Sequence, residues 1–375
     1  MDICKLGDIA KFTTGKLNSN AAQNNGRYPF FTCAPESLRI DEYAFDTEAI
    51  ILAGNNAEGN FHIQYFKGKF NAYQRTYVIE SLDENKVYTK YLYYALKTCL
   101  LHFKQISQGS ATKFLTTKIL NSFELPIPEI NIQKKVAGIL GNLDEKIEAN
   151  TAINENLYIQ AQAIKKQWVT TNEDGYQLLP LADVATINPD TYSIKEAWMY
   201  VNYLDTSSIA NGVITDIQRI VPSNEKLPSR ARRKVAAGDV LFSTVRPNQN
   251  HFGIISDPLP NMLVSTGFAV IRSKNPLVCN ELIYLCITEM DFIKKMQQLA
   301  EQSTSTFPSI KPSDLGTCQI PCPKDEKSAA FIHTLKCLFN LIAINLHENN
   351  SLATMRDTLL PKLMSGEIDV SVIQL

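Results

Sequence analysis

The sequence predicts an α+β protein: two globular, mixed α/β domains separated by a pair of long antiparallel coiled-coil helices and related by an internal pseudo-twofold repeat. Three observations lead to this prediction. A chain of 375 residues suits two domains of about 100–200 residues each. Similar phrases recur in both halves, and each half ends in an apolar heptad pattern. A hydrophobic content of 45% allows each domain a core of its own.

The internal repeat is visible near the beginning and the end of each half. The matched phrases are Leu6-Gly-Asp-Ile-Ala-Lys-Phe12 with Leu181-Ala-Asp-Val-Ala-Thr-Ile187, Phe114-Leu-Thr-Thr-Lys118 with Phe307-Pro-Ser-Ile-Lys311, and Leu125-Pro-Ile-Pro128 with Ile320-Pro-Cys-Pro323. The offset between partners grows from 175 to 195 residues. We therefore expect a shared frame, with about twenty extra residues in the loops of the second domain.

After each Pro-x-Pro phrase, notable positions alternate in steps of four and three, which is a heptad seam. The first seam comprises Val136, Leu140, Leu143, Ile147, Asn150, Asn154, Leu157, Ala161, Ile164 and Trp168, and the second comprises Phe331, Leu335, Leu338, Ile342, Asn345, Asn349, Leu352, Arg356, Leu359 and Leu363. One such stripe is more often ordinary core packing. Two matched stripes indicate two helices that pack on each other, and Pro361 predicts that the second ends or bends near Leu359.

Two asparagines interrupt each seam, symmetrically about its midpoint. Asparagine on an apolar seam costs stability but fixes register. Antiparallel helices with aligned centres would place Asn150 opposite Asn349 and Asn154 opposite Asn345. A parallel pair would need a connection along the whole seam, about 50 Å at ~1.5 Å per residue. We therefore predict an antiparallel pair in which these four residues set the register.

The predicted domains and helices follow from the repeat and the seams. The first domain covers 1–128, the first helix 129–172, the second domain 173–323, and the second helix with its tail 324–375. Within the domains we expect helices near 87–104 and 280–300. Further expectations are strands at 238–245 and 263–271, and two strands within 61–79 that turn at Lys67-Gly68-Lys69.

No catalytic motif is recognisable in the sequence. It has no glycine-rich phosphate loop, no serine elbow and no histidines at metal-ligand spacing, so we expect neither a catalytic centre nor a metal site. Asn188-Pro-Asp190 is similar to part of an adenine-methyltransferase motif but is more typical of a turn. Eight dispersed cysteines and the lack of an 18-residue apolar run favour a cytoplasmic protein with free thiols and no membrane span.

The distribution of charge along the sequence is compatible with DNA binding. A net charge of −1 is a mild argument against it, because DNA-binding proteins usually carry a basic surface. Residues 229–234, however, contain four cations in six positions. Arg230, Arg232, Arg233 and Lys234 are therefore candidate phosphate contacts, although a solvated loop is about equally compatible with the pattern.

Candidate base contacts lie on polar loops beside predicted strands. Arginine pairs with guanine, and asparagine or glutamine with adenine, in the major groove. The second-domain candidates are Thr244, Arg246, Asn248 and Asn250, and the first-domain candidates are Lys67, Lys69, Tyr73, Gln74 and Arg75. Polar segments before each closing strand add Ser110, Lys113, Ser303 and Ser305.

Taken in order, these pieces resemble the specificity subunit of type I restriction-modification systems over nearly the whole chain. The pieces are the Pro-x-Pro and helix units at 125–168 and 320–363, the phrases 68–75 and 238–247, and the ending 355–368. The helix openings depart from the usual Glu-Gln, with Asn131-Ile-Gln133 and Asp325-Glu-Lys327. That departure leaves the contacts at the helix starts open.

The resemblance implies a non-catalytic DNA-recognition subunit without a cofactor of its own. Each target-recognition domain would recognise one half of a bipartite double-stranded DNA target. The helices would set the spacing and dock two methyltransferase (M) subunits, which would bind S-adenosylmethionine and methylate adenine, and restriction (R) subunits would join them.

Two alternatives of other classes remain at this point. One is the recognition part of a type II-like methyltransferase or nuclease, which the missing cofactor motifs disfavour. The other is a protein-only coiled-coil adaptor, which the polar loops disfavour. Binding of S-adenosylmethionine by the isolated chain would indicate the first, and failure to shift DNA together with a methyltransferase partner would indicate the second.

Overall fold

The computed structural model describes residues 2–302 and 308–373, except for the side chain of Ile194. The chain divides into two compact units. One consists of Met1–Glu148 with Asn350–Leu375, and the other is Ala149–Asn349. Each unit contains one globular domain and a segment of each of two long helices.

The first domain is built around a six-stranded sheet. Its elements are β1 (Asp2–Lys5), α1 (Leu6–Ile9), β2 (Ala10–Thr14), β3 (Tyr28–Phe31), β4 (Leu38–Ile40), β5 (Phe45–Ala53), β6 (Asn55–Asn56), β7 (Ile63–Ala72), β8 (Thr76–Ser81), α2 (Thr89–Thr98), α3 (Leu100–Ile106), β9 (Lys113–Phe114), α4 (Thr117–Ser122) and β10 (Glu124–Ile127). The strand order is β2-β8-β5-β7-β3-β4. In β5, Ile50 and Leu52 belong to one buried cluster and Ile51 to another, so both faces of the strand are covered.

The first long helix, α5 (Ile130–Thr171), begins just after β10. Gln133, in its first turn, is fully buried. Its Nε2 donates to the carbonyl oxygens of Lys86 and Pro128, each at 2.8 Å, and its Oε1 accepts from Tyr88 N at 2.9 Å. A single glutamine thus ties the helix start to the loop that precedes α2.

The second domain repeats the same frame. Its elements are β11 (Tyr176–Pro180), α6 (Leu181–Val184), β12 (Ala185–Ile187), β13 (Val201–Leu204), β14 (Ile209–Ala210), β15 (Val213–Ile214), β16 (Gln218–Ile220), β17 (Ala231–Lys234), β18 (Asp239–Ser243), β19 (Phe252–Ile255), β20 (Met262–Ser265), β21 (Phe268–Ser273), α7 (Asn280–Ile287), α8 (Met290–Glu301), α9 (Pro312–Leu315) and β22 (Gln319–Pro323). The second long helix, α10 (Ala329–Ser365), follows.

The predicted repeat is confirmed by the strand order of the sheets. The order β2-β8-β5-β7 in the first domain matches β12-β21-β18-β19 in the second. Each domain is closed by its first and last strands, since β1 pairs with β10 and β11 pairs with β22. The second domain also contains a separate four-stranded sheet, β16-β13-β20-β17, whereas in the first domain β3 and β4 extend the main sheet.

The long helices pair in antiparallel fashion within each unit, as predicted. In the second unit, Asn150 Nδ2 donates to Asn349 Oδ1 at 2.9 Å and Asn345 Nδ2 donates to Asn154 Oδ1 at 2.8 Å. Trp168 stacks on Phe331 with ring centroids 4.3 Å apart. In the first unit, Leu140 lies in one buried cluster with Leu360 and Leu363.

Two predicted strand boundaries were wrong. Lys67-Gly68-Lys69 is not a turn, because β7 runs through it in continuous register with β5, with Gly68 at φ 133°. The chain reverses at Tyr73–Arg75 instead, between β7 and β8. The strand expected at 263–271 is interrupted at Thr266-Gly267, which separates β20 from β21.

The helix predictions also need correction. Each helix expected inside a domain is divided into two, with Cys99 between α2 and α3 and Thr288-Glu289 between α7 and α8. The second long helix does not end near Leu359: α10 continues to Ser365 with Pro361 inside it. Leu360 and Leu363 are buried on either side of this proline, and their packing offsets the lost backbone hydrogen bond.

Among the described residues, α10 with the 3-10 turn before it, Glu326–Ser365, is long and apolar enough to cross a membrane by length and composition alone, since an 18-residue stretch of it has a mean hydropathy of 1.5. This is weak support for a membrane span, because helices that pack inside a protein pass the same test. Asn345 and Asn349 lie on this helix and pair with asparagines of α5. Such polar pairing fits a helix–helix seam.

Candidate nucleic-acid interface

In the second domain, three loops meet at the end of the sheets where β13, β18 and β20 finish. Thr244 N donates to Gly267 O at 2.8 Å, and Thr266 N donates to Arg230 O at 2.8 Å. The loop after β18, the turn after β20 and the start of β17 are therefore adjacent. We call Arg230, residues 244–251 and residues 266–267 the second-domain edge.

The loop after β18 has a well-defined backbone. Arg246 and Asn250 are left-handed, with φ of 47° and 56°, and a 3-10 turn at Pro247–Gln249 lies between them. Arg246 N donates to Pro308 O at 3.0 Å, and Asn248 N donates to Gln297 Oε1 at 3.3 Å. Side chains of Arg246 and Asn248 are exposed, so the loop presents them to solvent on a braced backbone.

Two other side chains of this loop have different surroundings. Thr244 is buried, and its hydroxyl donates to Gly267 O at 2.9 Å, so it is not accessible to a ligand. Burial lowers the pKa of His251, against the opposing effect of the Asp205 carboxylate. The imidazole is therefore neutral at pH 7, with one donor and one acceptor nitrogen.

Most of the basic segment 229–234 is a strand and not a solvated loop, because β17 covers Ala231–Lys234 and only Arg230 of the four cations precedes it. Lys234 forms a 2.6 Å ion pair with Glu196 and lies 5.3 Å from the centre of the Trp198 ring. Arg233 Nη1 donates to Thr191 Oγ1 at 3.3 Å, while its buried Nε has no hydrogen-bond partner among the described residues. Arg230 is exposed on the second-domain edge and Arg232 is half-buried. Ser303 and Ser305 lie outside the described residues.

In the first domain, the predicted residues fall into two separate places. Lys67 lies opposite Glu48 and pairs with it at 2.8 Å, while Lys69 lies 4.7 Å from the centre of the Tyr43 ring. Tyr65 also donates to Glu48, at 2.6 Å. Burial would raise the pKa of Glu48, but its hydrogen bonds with Lys67 and Tyr65 outweigh that effect and lower it. Lys67 is therefore neutralised within the sheet.

The remaining first-domain candidates lie where β5 and β7 end. Gln74 Nε2 donates to Asn18 Oδ1 at 2.7 Å, and the Arg75 guanidinium lies 5.8 Å from the centre of the Phe114 ring. Ser110 is exposed in a tight turn formed around Gly109, at φ 103°. Lys113 lies on β9, which pairs with β6 directly after β5. We call residues 54–62, 73–75 and 113–114 the first-domain edge.

The sequence interpretation missed part of this edge. The loop after β5 is the structural counterpart of the loop after β18, because the two strands hold the same place in the matched sheets. It carries Asn55, Asn56 and Asn60, with Lys104 beside it. A signal was present: in both halves a buried apolar run, 49–53 or 240–243, is followed directly by a polar loop.

The described residues contain no group of three or more His, Cys, Asp or Glu side chains that could hold a metal ion. The polar side chains gathered at the two edges are mainly hydrogen-bond donors, amides and cations, with the Glu58 carboxylate among them in the first domain. These groups suit contacts with phosphates and base edges.

Comparison with known proteins identifies the class. The sequence model described as "Type I restriction modification DNA specificity domain" matches residues 1–158. The EcoDI specificity subunit of Escherichia coli is 25% identical, over 97% of this chain and 88% of its own length. The MjaVIII specificity subunit of Methanocaldococcus jannaschii is 22% identical, over 98% of this chain and 93% of its own length.

A solved structure supports the fold. The type I restriction-modification S subunit from M. genitalium superposes with a TM-score of 0.58, at 17% identity, covering 96% of this chain and 95% of that one. The duplicated fold and these relatives define a DNA-specificity protein. Residues 1–158 thus carry the type I restriction-modification DNA specificity domain, and nearly the whole chain is similar to type I specificity subunits.

Proposed function

We propose that each globular domain recognises one half of a bipartite double-stranded DNA target through its own edge. The observation that carries the proposal is the match between the two sheets. In both domains the strand in the same position, β5 or β18, ends in a polar loop braced by a segment from before the closing strand. Two copies of one frame with different loop side chains suit two different half-sites.

The partners and the division of labour follow from the family. We propose that the long helices set the half-site spacing and dock two methyltransferase (M) subunits, with S-adenosylmethionine bound there and restriction (R) subunits joining the complex. This chain would supply recognition without catalysis or a cofactor of its own, in the cytoplasm. The domain bounds 1–128 and 173–323, with helices at 129–172 and 324–375, belong to the same proposal.

The test uses the full chain co-purified with its methyltransferase partner. Methylated adenines in host DNA are mapped first, and binding is then measured on a duplex with the mapped target and on duplexes with either half scrambled. We expect each scrambled half to weaken binding separately. Isothermal titration of the isolated chain with S-adenosylmethionine should give no binding. Equal affinity for all duplexes, or cofactor binding by this chain, would contradict the proposal.

A further inference from the structure

The cations of the first domain differ in whether a carboxylate neutralises them. Lys11 pairs with Glu80 at 3.8 Å, and Lys67 pairs with Glu48 at 2.8 Å. Arg75, Lys104 and Lys113 form no ion pair within the described ranges. Their charges remain available to an anion outside the chain.

These three cations belong to one surface, which we call the first-domain cationic patch. Gly59 lies between two of the lysine stems: a Cβ there would be 3.1 Å from Lys104 Cγ and 3.2 Å from Lys113 Cγ. Phe114 follows Lys113 on β9, and the Arg75 guanidinium lies over its ring. The loop 56–60 and strand β9 thus gather charges that are far apart in the sequence.

The polar neighbours of the patch orient the cations without cancelling them. Lys104 Nζ donates to Asn60 Oδ1 at 2.8 Å, and Asn60 Nδ2 donates in turn to Glu58 Oε2 at 3.2 Å. Asn56 Oδ1 accepts from the backbone N–H groups of Glu58 and Asn60 at 2.9 and 3.0 Å, which closes the loop. Glu58 is the one carboxylate in this loop, against three cations, so the surface is net positive.

We infer that the first-domain cationic patch binds the phosphate backbone of double-stranded DNA beside the first half-site. The inference rests on the proposed function and assigns the phosphate contacts of that domain to Arg75, Lys104 and Lys113. Phosphate contacts supply the salt-dependent part of DNA affinity, and they require cations that are not already paired. Lys67, which the sequence suggested, is excluded from this surface because Glu48 neutralises it.

The experiment measures how affinity depends on salt in the complex of the full chain with its methyltransferase partner. The variants are Lys104→Gln and Lys113→Gln, with Lys104→Arg as the charge-preserving variant. Lys11→Gln is the matched control, an exposed lysine of the same domain that is already paired with Glu80. Each glutamine variant of the patch should reduce the slope of log K against log salt by about 0.9. It should weaken target and scrambled duplexes alike, while Lys104→Arg and Lys11→Gln keep the wild-type slope.

The outcomes separate this inference from the proposed function. If the wild-type complex does not prefer its mapped target, the proposed function fails. If that preference holds but both patch variants keep the wild-type slope, the assignment of phosphate contacts is overturned. It is also overturned if Lys11→Gln lowers the slope as much as they do. Circular-dichroism melting of each variant excludes a change in slope that arises from unfolding.

Discussion

Arg246 combines an exposed cationic side chain with a backbone conformation that costs energy. Its φ of 47° is in the left-handed region, where an L-residue other than glycine is disfavoured by about 1–2 kcal/mol. Asparagine tolerates that region better, as at Asn250 in the same loop. Glycine would adopt this conformation without strain. An arginine here therefore indicates a role for the guanidinium, because backbone strain of this kind concentrates at functional sites.

Two substitutions separate the role of the side chain from that of the backbone. Arg246→Gly and Arg246→Ala both remove the guanidinium, but only glycine relieves the strain. We expect both to lose about 1–3 kcal/mol of binding on the mapped target and to discriminate less against mismatched duplexes. The glycine variant should be more stable than the alanine variant by about 1 kcal/mol. Binding titrations and thermal melting check the two expectations. Equal loss of affinity for every DNA would show that Arg246 does not contact bases.

At the scale of elements, each domain packs a tyrosine of its first main helix, α2 or α7, against the long helices, with different chemistry in the two units. In the first unit, Tyr94 Oη donates to Asp144 Oδ2 at 2.6 Å, and Arg356 Nη1 donates to Asp144 Oδ1 at 2.8 Å. In the second unit, Tyr284 on α7 packs edge-on against Phe339, with ring centroids 5.6 Å apart. Burial, together with the hydrogen bond to Asp144, raises the pKa of Tyr94, so its phenol remains a donor.

This difference predicts unequal effects of the same substitution. Tyr94→Phe removes a buried hydrogen bond to a charged acceptor and should lower the free energy of unfolding by about 1.5–3 kcal/mol. Tyr284→Phe is the matched control, because its hydroxyl forms no hydrogen bond with the described residues, and it should cost less than about 0.5 kcal/mol. Denaturant titration of the full chain measures both. Equal costs would mean that the Asp144 contact contributes nothing to docking.

The asparagine pairs between α5 and α10 lower the stability of the helix pair but fix the register between the two helices. Asn150 is almost fully buried and donates to both Asn349 and Glu348. Replacing Asn150, Asn154, Asn345 and Asn349 together with leucine should raise the melting temperature while loosening the register. Faster hydrogen exchange along 149–171 would report the loosening. Asn156→Leu, at an exposed position of the same helix, serves as control. A lower melting temperature would contradict the prediction.

Periodic patterns in the sequence predicted the elements whose burial is regular. The α5 helix and the asparagine pairs are examples, because one face of the helix must meet a partner. The strand at β18, which is buried at all its positions, was predicted instead from an apolar run that follows a turn. The sequence did not predict the path of β7 through Gly68, since glycine and two lysines are typical of a turn and only pairing with β5 keeps them extended. Nor did it predict that Lys67 and Lys234 are neutralised, because Glu48 and Glu196 are distant in sequence.

At the scale of the whole molecule, each domain has its own buried clusters, and its first and last strands pair with each other. Val240, Phe242 and Ile271 lie in a cluster of the second domain, and Ile50 and Ile79 lie in one of the first. The chain enters and leaves each domain through neighbouring strands. Asp2 lies opposite Ile127, and Tyr176 lies opposite Pro323. A domain can therefore be exchanged at these strand pairs without dividing any of its sheets, although its core is shared with the long helices, which contribute Ala161 and Leu335 to the second.

This closure makes independent recognition testable. Exchanging residues 176–323 for the matching segment of a relative with a different target should change one half of the methylated sequence and leave the other half intact. The reason is that the exchange replaces the second-domain edge together with its supporting sheets, while the loops after β5 and β7 stay unchanged. Mapping of methylated adenines in cells that carry the hybrid and its methyltransferase partner gives the result directly. Exchanging residues 2–127 should alter the opposite half, which provides the reciprocal control. If either exchange changed both halves together, the domains would not recognise DNA independently, and the edge assignments made for each domain alone would have to be abandoned.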